Sequence, residues 1–405
     1  MNTTTHVLTK PRLAVVDSLR GFALLGILIA NIPFAPDTTE IYQARDWSIG
    51  SANISLVLDA LFHLLIDKKF ITIFGILFGF GFYIQMQKGL ENGIHFKRYF
   101  LIRMVLLFLI GALHAYLLWF GDILRYYAIC GMFLLFIYHW PKRKILLAAL
   151  FFNVLLTASV FVMNGILGLP HYTYDIAIVN EYPVTKSWAR FLEINTTLDP
   201  MVNFVDDSIL TFVFSFGNIL LGFWLGKVQF FEKPDKNWKN LKKPLIVAFV
   251  IGMGASYLFW LVSKGTLELT PALIWLPLVI VGGLVLLSIS YVVAFVKLFC
   301  HTPFRCFFQS FGPVGKMALT NYLLQTVFYL VLFFHFSNGL KLFNRITHTE
   351  TYLLAIVLFS FQMLFSWLWL KKFSQGPIEF IWKKLSYRFF ISEKRHSQGL
   401  DSRNN

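Results

Sequence analysis

DSLRGFALLGILIANIPF, residues 17–34, places an acid and an arginine three residues apart and then runs apolar, with Asn31 standing near its far end. A spanning helix needs about 20 mostly apolar residues, and this stretch with its flanks supplies them. The rest of the chain points the same way. Of 405 residues, 57% are hydrophobic and only 14% charged, and the mean hydropathy is +0.64. Soluble domains carry about 25% charged residues, so this supply could not cover a water-facing surface. The 45 Phe, 11 Trp and 16 Tyr residues suit lipid contact and interfacial belts. The expected fold is all-α, a polytopic transmembrane helix bundle.

Residues 1–36 also have the outline of a cleaved signal peptide, a basic region followed by an apolar run. Ile32-Pro33-Phe34-Ala35 lacks the small-residue cleavage pattern, so an uncleaved first span is expected. Runs of spanning length lie near 19–36, 70–87, 99–120, 123–139, 145–166, 208–227, 244–263, 271–296, 316–336 and 351–370. These make about ten spans by the length rule. The segment 54–66, ISLVLDALFHLLI, is apolar but short and carries Asp59 and His63. It reads as an interfacial or re-entrant helix.

Lys and Arg collect in alternate connections, at 88–103, 142–144, 227–243 and 371–403, whereas the acids favour the others. By the positive-inside rule, both termini are expected in the cytoplasm of a bacterial cell, in its inner membrane. The net charge of +15 then reports topology: basic cytoplasmic loops face anionic membrane lipids. No polar stretch mixes basic and aromatic residues over enough length for nucleic acid. Residues 1–390 are expected to form one membrane domain, and 391–405 a disordered tail. An extracytoplasmic insertion at 168–207 divides five spans from five. It is long enough for a lid or a partner surface. Cys130, Cys300 and Cys306 follow no disulfide or metal spacing, and free thiols are expected.

Polar groups at membrane depth are costly and usually face a cavity or a partner. In RMVLLFLIGALHAYLLWFGDILRYYA, residues 103–128, His114 lies eleven residues past Arg103, with Asp122 in the turn beyond. His114 has the chemistry of a general base, with Asp122 or Asp59 to orient it; a plain interhelical hydrogen bond explains it equally. His63, four residues after Asp59, is a second candidate, against the reading of a solvated helix face. In GKMALTNYLLQTVF, residues 315–328, Lys316 stands at the expected cytoplasmic edge with Asn321 and Gln325 a turn apart. These amides either glue helices or line a polar tunnel for an anionic cofactor. The tail QGPIEFIWKKLSYRFF, 375–390, reads as an amphipathic interfacial helix.

DSLRGFALLGILIANI, LIGALHAYLLWFGDILRYYAICG, GKMALTNYLLQTVF and GPIEFIWKKLSY resemble, in order, the YeiB-type family of bacterial inner-membrane proteins. More distantly, Asp17, Arg20 and Gly21 resemble the opening pattern of the transmembrane acyltransferase superfamily. That resemblance implies acyl-CoA, acetyl-CoA above all, as donor, and an extracytoplasmic sugar, lipid or amine as acceptor. It implies no metal. The sugar O-acylating branch carries its catalytic His where this chain has Asn31. The branch resembling heparan glucosaminide N-acetyltransferase also has Asn there, with a lumenal His soon after. No His lies between Asn31 and Asp59 here, so the role would pass to His63 or His114.

Two function classes follow. In an acyltransferase, the donor binds near Asp17, Arg20, Asn31, Lys316, Asn321 and Gln325, and His114, Asp122, Asp59 and His63 supply the catalytic candidates. In a small-solute transporter, Asn31, His114, Asp122, Asn321 and Gln325 line a pathway. A non-enzymatic assembly protein is the third reading.

Overall fold

The computed structural model describes residues 13–31, 52–91, 95–167, 175–202, 206–232, 234–301, 303–335, 339–343, 345–346 and 348–401. Among them every regular element is helical. The helices are α1 (Ala14–Asn31), α2 (Ala52–Leu65), α3 (Lys69–Glu91), α4 (Phe96–Leu117), α5 (Leu124–Ile137), α6 (Lys142–Leu150) and α7 (Thr157–Gly165). A π-helical turn, Phe151–Leu156, joins the last two. Then come α8 (Ile176–Glu181), α9 (Trp188–Leu198), α10 (Asp206–Lys227), α11 (Pro234–Ser263), α12 (Leu276–His301), α13 (Arg305–Gln309), α14 (Gly312–Lys316), α15 (Ala318–Phe333), α16 (His348–Lys372) and α17 (Pro377–Asp401).

Each of the ten expected spans coincides with helix, but not all qualify as spans. Seven helices are long and apolar enough to cross a membrane, and an eighth qualifies if one bent pair counts as a single span. The two that fall outside are α3 and α5, the latter with 14 residues. The far end of the first expected span, 32–36, lies outside the described residues. The segment 54–66 is helical, as α2.

The bent pair corrects the expected continuous span 316–336. The chain turns by 82° between Arg305–Lys316 and Ala318–Phe333, at Met317, whose φ and ψ of −113° and 38° leave the helical region. The bend packs α14 on the start of α1 with almost no room between the backbones. A Cβ on Gly315 would lie 1.8 Å from the Asp17 carbonyl oxygen, and one on Gly21 would lie 2.1 Å from that of Phe311. Helices α3 and α10 cross with the same reciprocity, Gly79 against the Ile219 carbonyl and Gly222 against that of Ile76. Without a hydrophobic force between helices in lipid, such close backbone approach supplies the packing contacts. Aromatic rings pack within the interior: Phe82, for example, lies edge-on to Phe96, Phe100 and Phe223.

The expected insertion is a folded cap where it is described. Tyr182 and Phe191 stack with ring centroids 5.2 Å apart, Phe334 packs edge-on against both, and all three are fully buried. Asn195 of α9 accepts from the Tyr182 hydroxyl and donates to the Tyr116 carbonyl of α4. The C-terminal helix α17 carries the chain through Asp401. ISEKRH contains neither Gly nor Pro to stop the preceding helix. Cys130, Cys300 and Cys306 are free thiols.

Candidate functional site

The end of α4, the tight turn 118–123 and the start of α5 bring His114 and Asp122 together. Asp122 Oδ2 lies 2.9 Å from His114 Nδ1, and both side chains are closed to solvent. On the other side of the ring, His114 Nε2 lies 2.9 Å from the Thr326 hydroxyl of α15. With Asp122 ionised and the imidazole neutral, Nδ1–H donates to the carboxylate and the Thr326 hydroxyl donates to Nε2, the tautomer that leaves each polar atom satisfied. Asp122 Oδ1 accepts from the Arg125 backbone N–H at 2.9 Å and from its Nε at 3.4 Å. The Arg125 guanidinium then forks onto Asp199 of the cap, at 2.6 and 3.0 Å. A carboxylate–imidazole–hydroxyl line is thereby tied to a bidentate ion pair, the whole buried where an unpaired charge would be very costly.

Tyr322, one turn before Thr326, covers this group on its inner side. Its ring centroid lies 5.2 Å from that of His114, and its hydroxyl accepts from the Ile123 N–H at 3.5 Å. The opposite face of Tyr322 belongs to a cavity of about 1000 Å³. Arg20, Lys88, Arg103 and Lys316 line it together with Phe78, Leu107, Leu124 and Tyr127. From Lys88 to Phe74 it follows fourteen residues of α3, about 21 Å of helix.

The candidates sort clearly on this frame. Asp17, Arg20 and Lys316 border the cavity, and Asp17 pairs with Arg20 at 3.2 Å. His114 and Asp122 form one buried site behind Tyr322, so Arg20 and His114 do not share one continuous cavity. Asn321 and Gln325, expected to line a polar tunnel if they bind, point into helix contacts instead. Asn321 Nδ2 donates to the Val314 and Met317 carbonyls and to Ser366, and Gln325 Nε2 donates to the Leu24 carbonyl and Gln362. They tie α15 to the bend before it and fasten it to α1 and α16. Asn31 closes α1, half-buried, and is not among the cavity's lining residues.

Asp59 and His63 belong to a different place, where α2 meets α11. Asp59 accepts from Trp260 Nε1 at 2.8 Å and pairs with Lys264 at 3.0 Å. His63 lies 3.1 Å from Asp67 and 3.8 Å from Asp59. Asp59 is therefore not the partner of His114. Among the described residues no group of three or more His, Cys, Asp or Glu side chains converges as metal ligands would.

Several contributors carried no sequence signal of their own. Thr326 and Asp199 reach His114 and Arg125 across gaps of 212 and 74 residues. Glu379 of α17 caps the start of α15, accepting from the backbone N–H groups of Leu319 and Thr320 at 2.7 and 3.1 Å. A carboxylate at that position offsets the positive helix end. Trp382, a turn further, lies flat on the Arg103 guanidinium at 3.8 Å and donates to the Arg103 carbonyl. The periodic aromatic and basic pattern at 375–390 was the one clue to these contacts.

Apolar helices of spanning length, around a buried His–Asp pair and a cavity with charged and apolar lining, define a multi-pass helical membrane protein. Residues 225–389 match the family described as "Protein of unknown function (DUF418)". The chain is 29% identical over 417 residues to "Uncharacterized protein YxaH" of Bacillus subtilis (strain 168), covering 96% of this chain and 97% of that one. It is 25% identical over 402 residues to "Uncharacterized protein YeiB" of Escherichia coli (strain K12), covering 93% and 97%. An "Uncharacterized 39.9 kDa protein in amylase 3'region" of Bacillus acidopullulyticus is 28% identical over 385 residues. The chain is similar to these YeiB-type proteins over almost its whole length, and none of these matches carries the acyltransferase superfamily. No solved structure matches the chain.

Proposed function

We propose that this chain is an inner-membrane protein that takes an acyl-CoA into the cavity from the cytoplasmic side and passes its acyl group to an extracytoplasmic sugar, lipid or amine. One observation carries the reading: a charged mouth leads through an apolar channel to Tyr322, and Tyr322 packs on an oriented His–Asp pair. Arg20 and Lys316 hold the anionic donor at the mouth. Rotation of Tyr322 joins the cavity to His114. Asp122 fixes the imidazole so that Nε2 takes the proton of the acceptor's hydroxyl or amine. The new acyl–oxygen or acyl–nitrogen bond forms as the carbon–sulfur bond breaks, and the proton passes to the departing thiolate of coenzyme A. Positioning and a base suffice for thioester attack.

Purified protein in nanodiscs, incubated with radiolabelled acetyl-CoA and envelope extract, is expected to label an envelope component. His114→Ala should lower the rate by about 10²–10⁴-fold, the usual contribution of a positioned base. Absence of label transfer and of coenzyme A binding, with His114→Ala retaining the cellular phenotype, refutes the reading.

A second reading, a small-solute carrier, draws on the bent span, because broken helices near buried polar groups mark many transport sites. Proton-gradient-dependent flux in proteoliposomes without acyl transfer would select it.

A further inference from the structure

We infer that the cavity holds a single-chain amphiphile with a phosphate-bearing head, the head on Arg103 and the chain against the wall of Phe74, Phe78 and Leu107. The inference rests on the reading of this cavity as a donor site and narrows that reading to a ligand class.

The shape argues for a chain. The cavity is polar at one end only, and beyond Arg103 its wall is built from Phe74, Leu77, Phe78, Met104, Leu107 and Leu124. A compact polar solute placed there would lose its hydration and find few partners, whereas a hydrocarbon chain gains by leaving water. A volume of about 1000 Å³ is at the top of the range for one small-molecule ligand, enough for one chain with its head.

The head group is argued from Arg103. Of the four acids that line the cavity, Asp17 pairs with Arg20, Glu379 caps α15, and Glu91 and Glu232 are exposed to solvent. Arg103 has no carboxylate partner among the described residues. Its one side-chain hydrogen bond there is a long one, from Nη1 to the Tyr99 hydroxyl at 3.4 Å. Its Nε is buried without an acceptor. Trp382 lies on the guanidinium plane and holds it facing the cavity. A buried donor left unmade is costly, and a guanidinium fork matches phosphate oxygens. Lys316, exposed on the same rim, adds a second cation.

Gly81 offers a clean lever on the chain. It lines the cavity midway along α3, and a Cβ built there meets no atom within 4 Å. A larger side chain at this position enters open space without disturbing a neighbour.

The test uses the full chain in nanodiscs of neutral phosphatidylcholine, with palmitoyl-CoA, acetyl-CoA, lysophosphatidic acid and monopalmitoylglycerol as titrants. At least one of palmitoyl-CoA and lysophosphatidic acid should bind about tenfold or more tightly than both acetyl-CoA and monopalmitoylglycerol, by loss of a charge-assisted contact or of chain burial. Which of the two binds tells whether the ligand comes from solution or from the bilayer. Arg103→Gln should bring the phosphate amphiphile to the level of the uncharged one, and Arg103→Lys should recover part of the difference. Gly81→Leu should weaken the long-chain ligand and leave acetyl-CoA unchanged. The inference is overturned if no phosphate amphiphile shows the advantage, or if neither Arg103→Gln nor Gly81→Leu reduces it. Retained amphiphile binding without acyl transfer would refute only the donor reading. Acyl transfer indifferent to chain length, Arg103 and Gly81 would refute only this inference.

Discussion

Two glycines of α3, two residues apart, should respond to the same substitution with opposite sign. At Gly79 a Cβ would lie 1.9 Å from the Ile219 carbonyl oxygen, 2.7 Å from its carbon and 3.0 Å from its Cα. Ordinary contact begins at 3.4 Å, so Gly79→Ala forces α3 and α10 apart by about 1.5 Å, and packed interiors do not absorb such a shift without loss. The obstacle is backbone, which no rotamer change can move aside. Overpacking of this kind costs about 1–3 kcal/mol, and the rigid contact argues for the upper half of that range. The same shift would be felt at Gly222, whose own Cβ would meet the Ile76 carbonyl at 1.8 Å. At Gly81 the added methyl meets nothing within 4 Å, and the helix gains up to about 1 kcal/mol of propensity. The two variants should therefore differ by about 3 kcal/mol. Unfolding in mixed micelles titrated with dodecyl sulfate, followed by circular dichroism, measures the difference. Equal midpoints for the two variants, or a lower midpoint for Gly81→Ala, would refute the reading of the α3–α10 crossing.

Three further perturbations address the site. Asp199→Ala removes one partner of a buried bidentate pair, which costs about 3–5 kcal/mol when nothing else compensates. Because Arg125 keeps Asp122, the lower end is expected, seen as faster limited proteolysis within 175–202. Glu379→Gln removes the charge that caps α15 and should cost about 0.5–2 kcal/mol, with faster amide exchange at Leu319 and Thr320 as its mark. In the cap, the hydrogen bond from Arg190 holds the Glu181 carboxyl below its usual range. A lowered carboxylate value stabilises the fold above the ordinary value and loses that contribution as pH falls through the lowered one. Exchange protection across α8 and α9 should therefore persist through mild acid and fail only below the ordinary carboxylate range, and Arg190→Gln should move that loss to higher pH.

The legible part of the site was local. His114 and Asp122 are eight residues apart across one turn, and their partnership could be read as one of two choices. Between Asp122 and Asp59 the sequence was neutral, because Asp59 differs only in being held by Trp260 and Lys264, 201 and 205 residues away. Asn321 and Gln325 were placed on one helix face correctly, but a face has no label saying whether a helix or a cavity lies opposite. Arg103 counted only among the basic residues of 88–103, and its contact with Trp382, 279 residues on, had no local signal.

What the sequence determined by itself is the helical, membrane-embedded class. That follows from hydropathy and charge distribution, which are sums over the chain and need no knowledge of contacts. The 82° bend at Met317, the folded cap and the cavity were decided only in three dimensions. The bend depends on glycines 21 and 315 meeting backbone carbonyls of another helix, and the cap on Arg125 reaching Asp199. DSLRGFALLGILIANIPF shows both halves of this division: its apolar run announced a span, whereas Asp17 and Arg20 became part of a cavity wall only because α14 folded back against them.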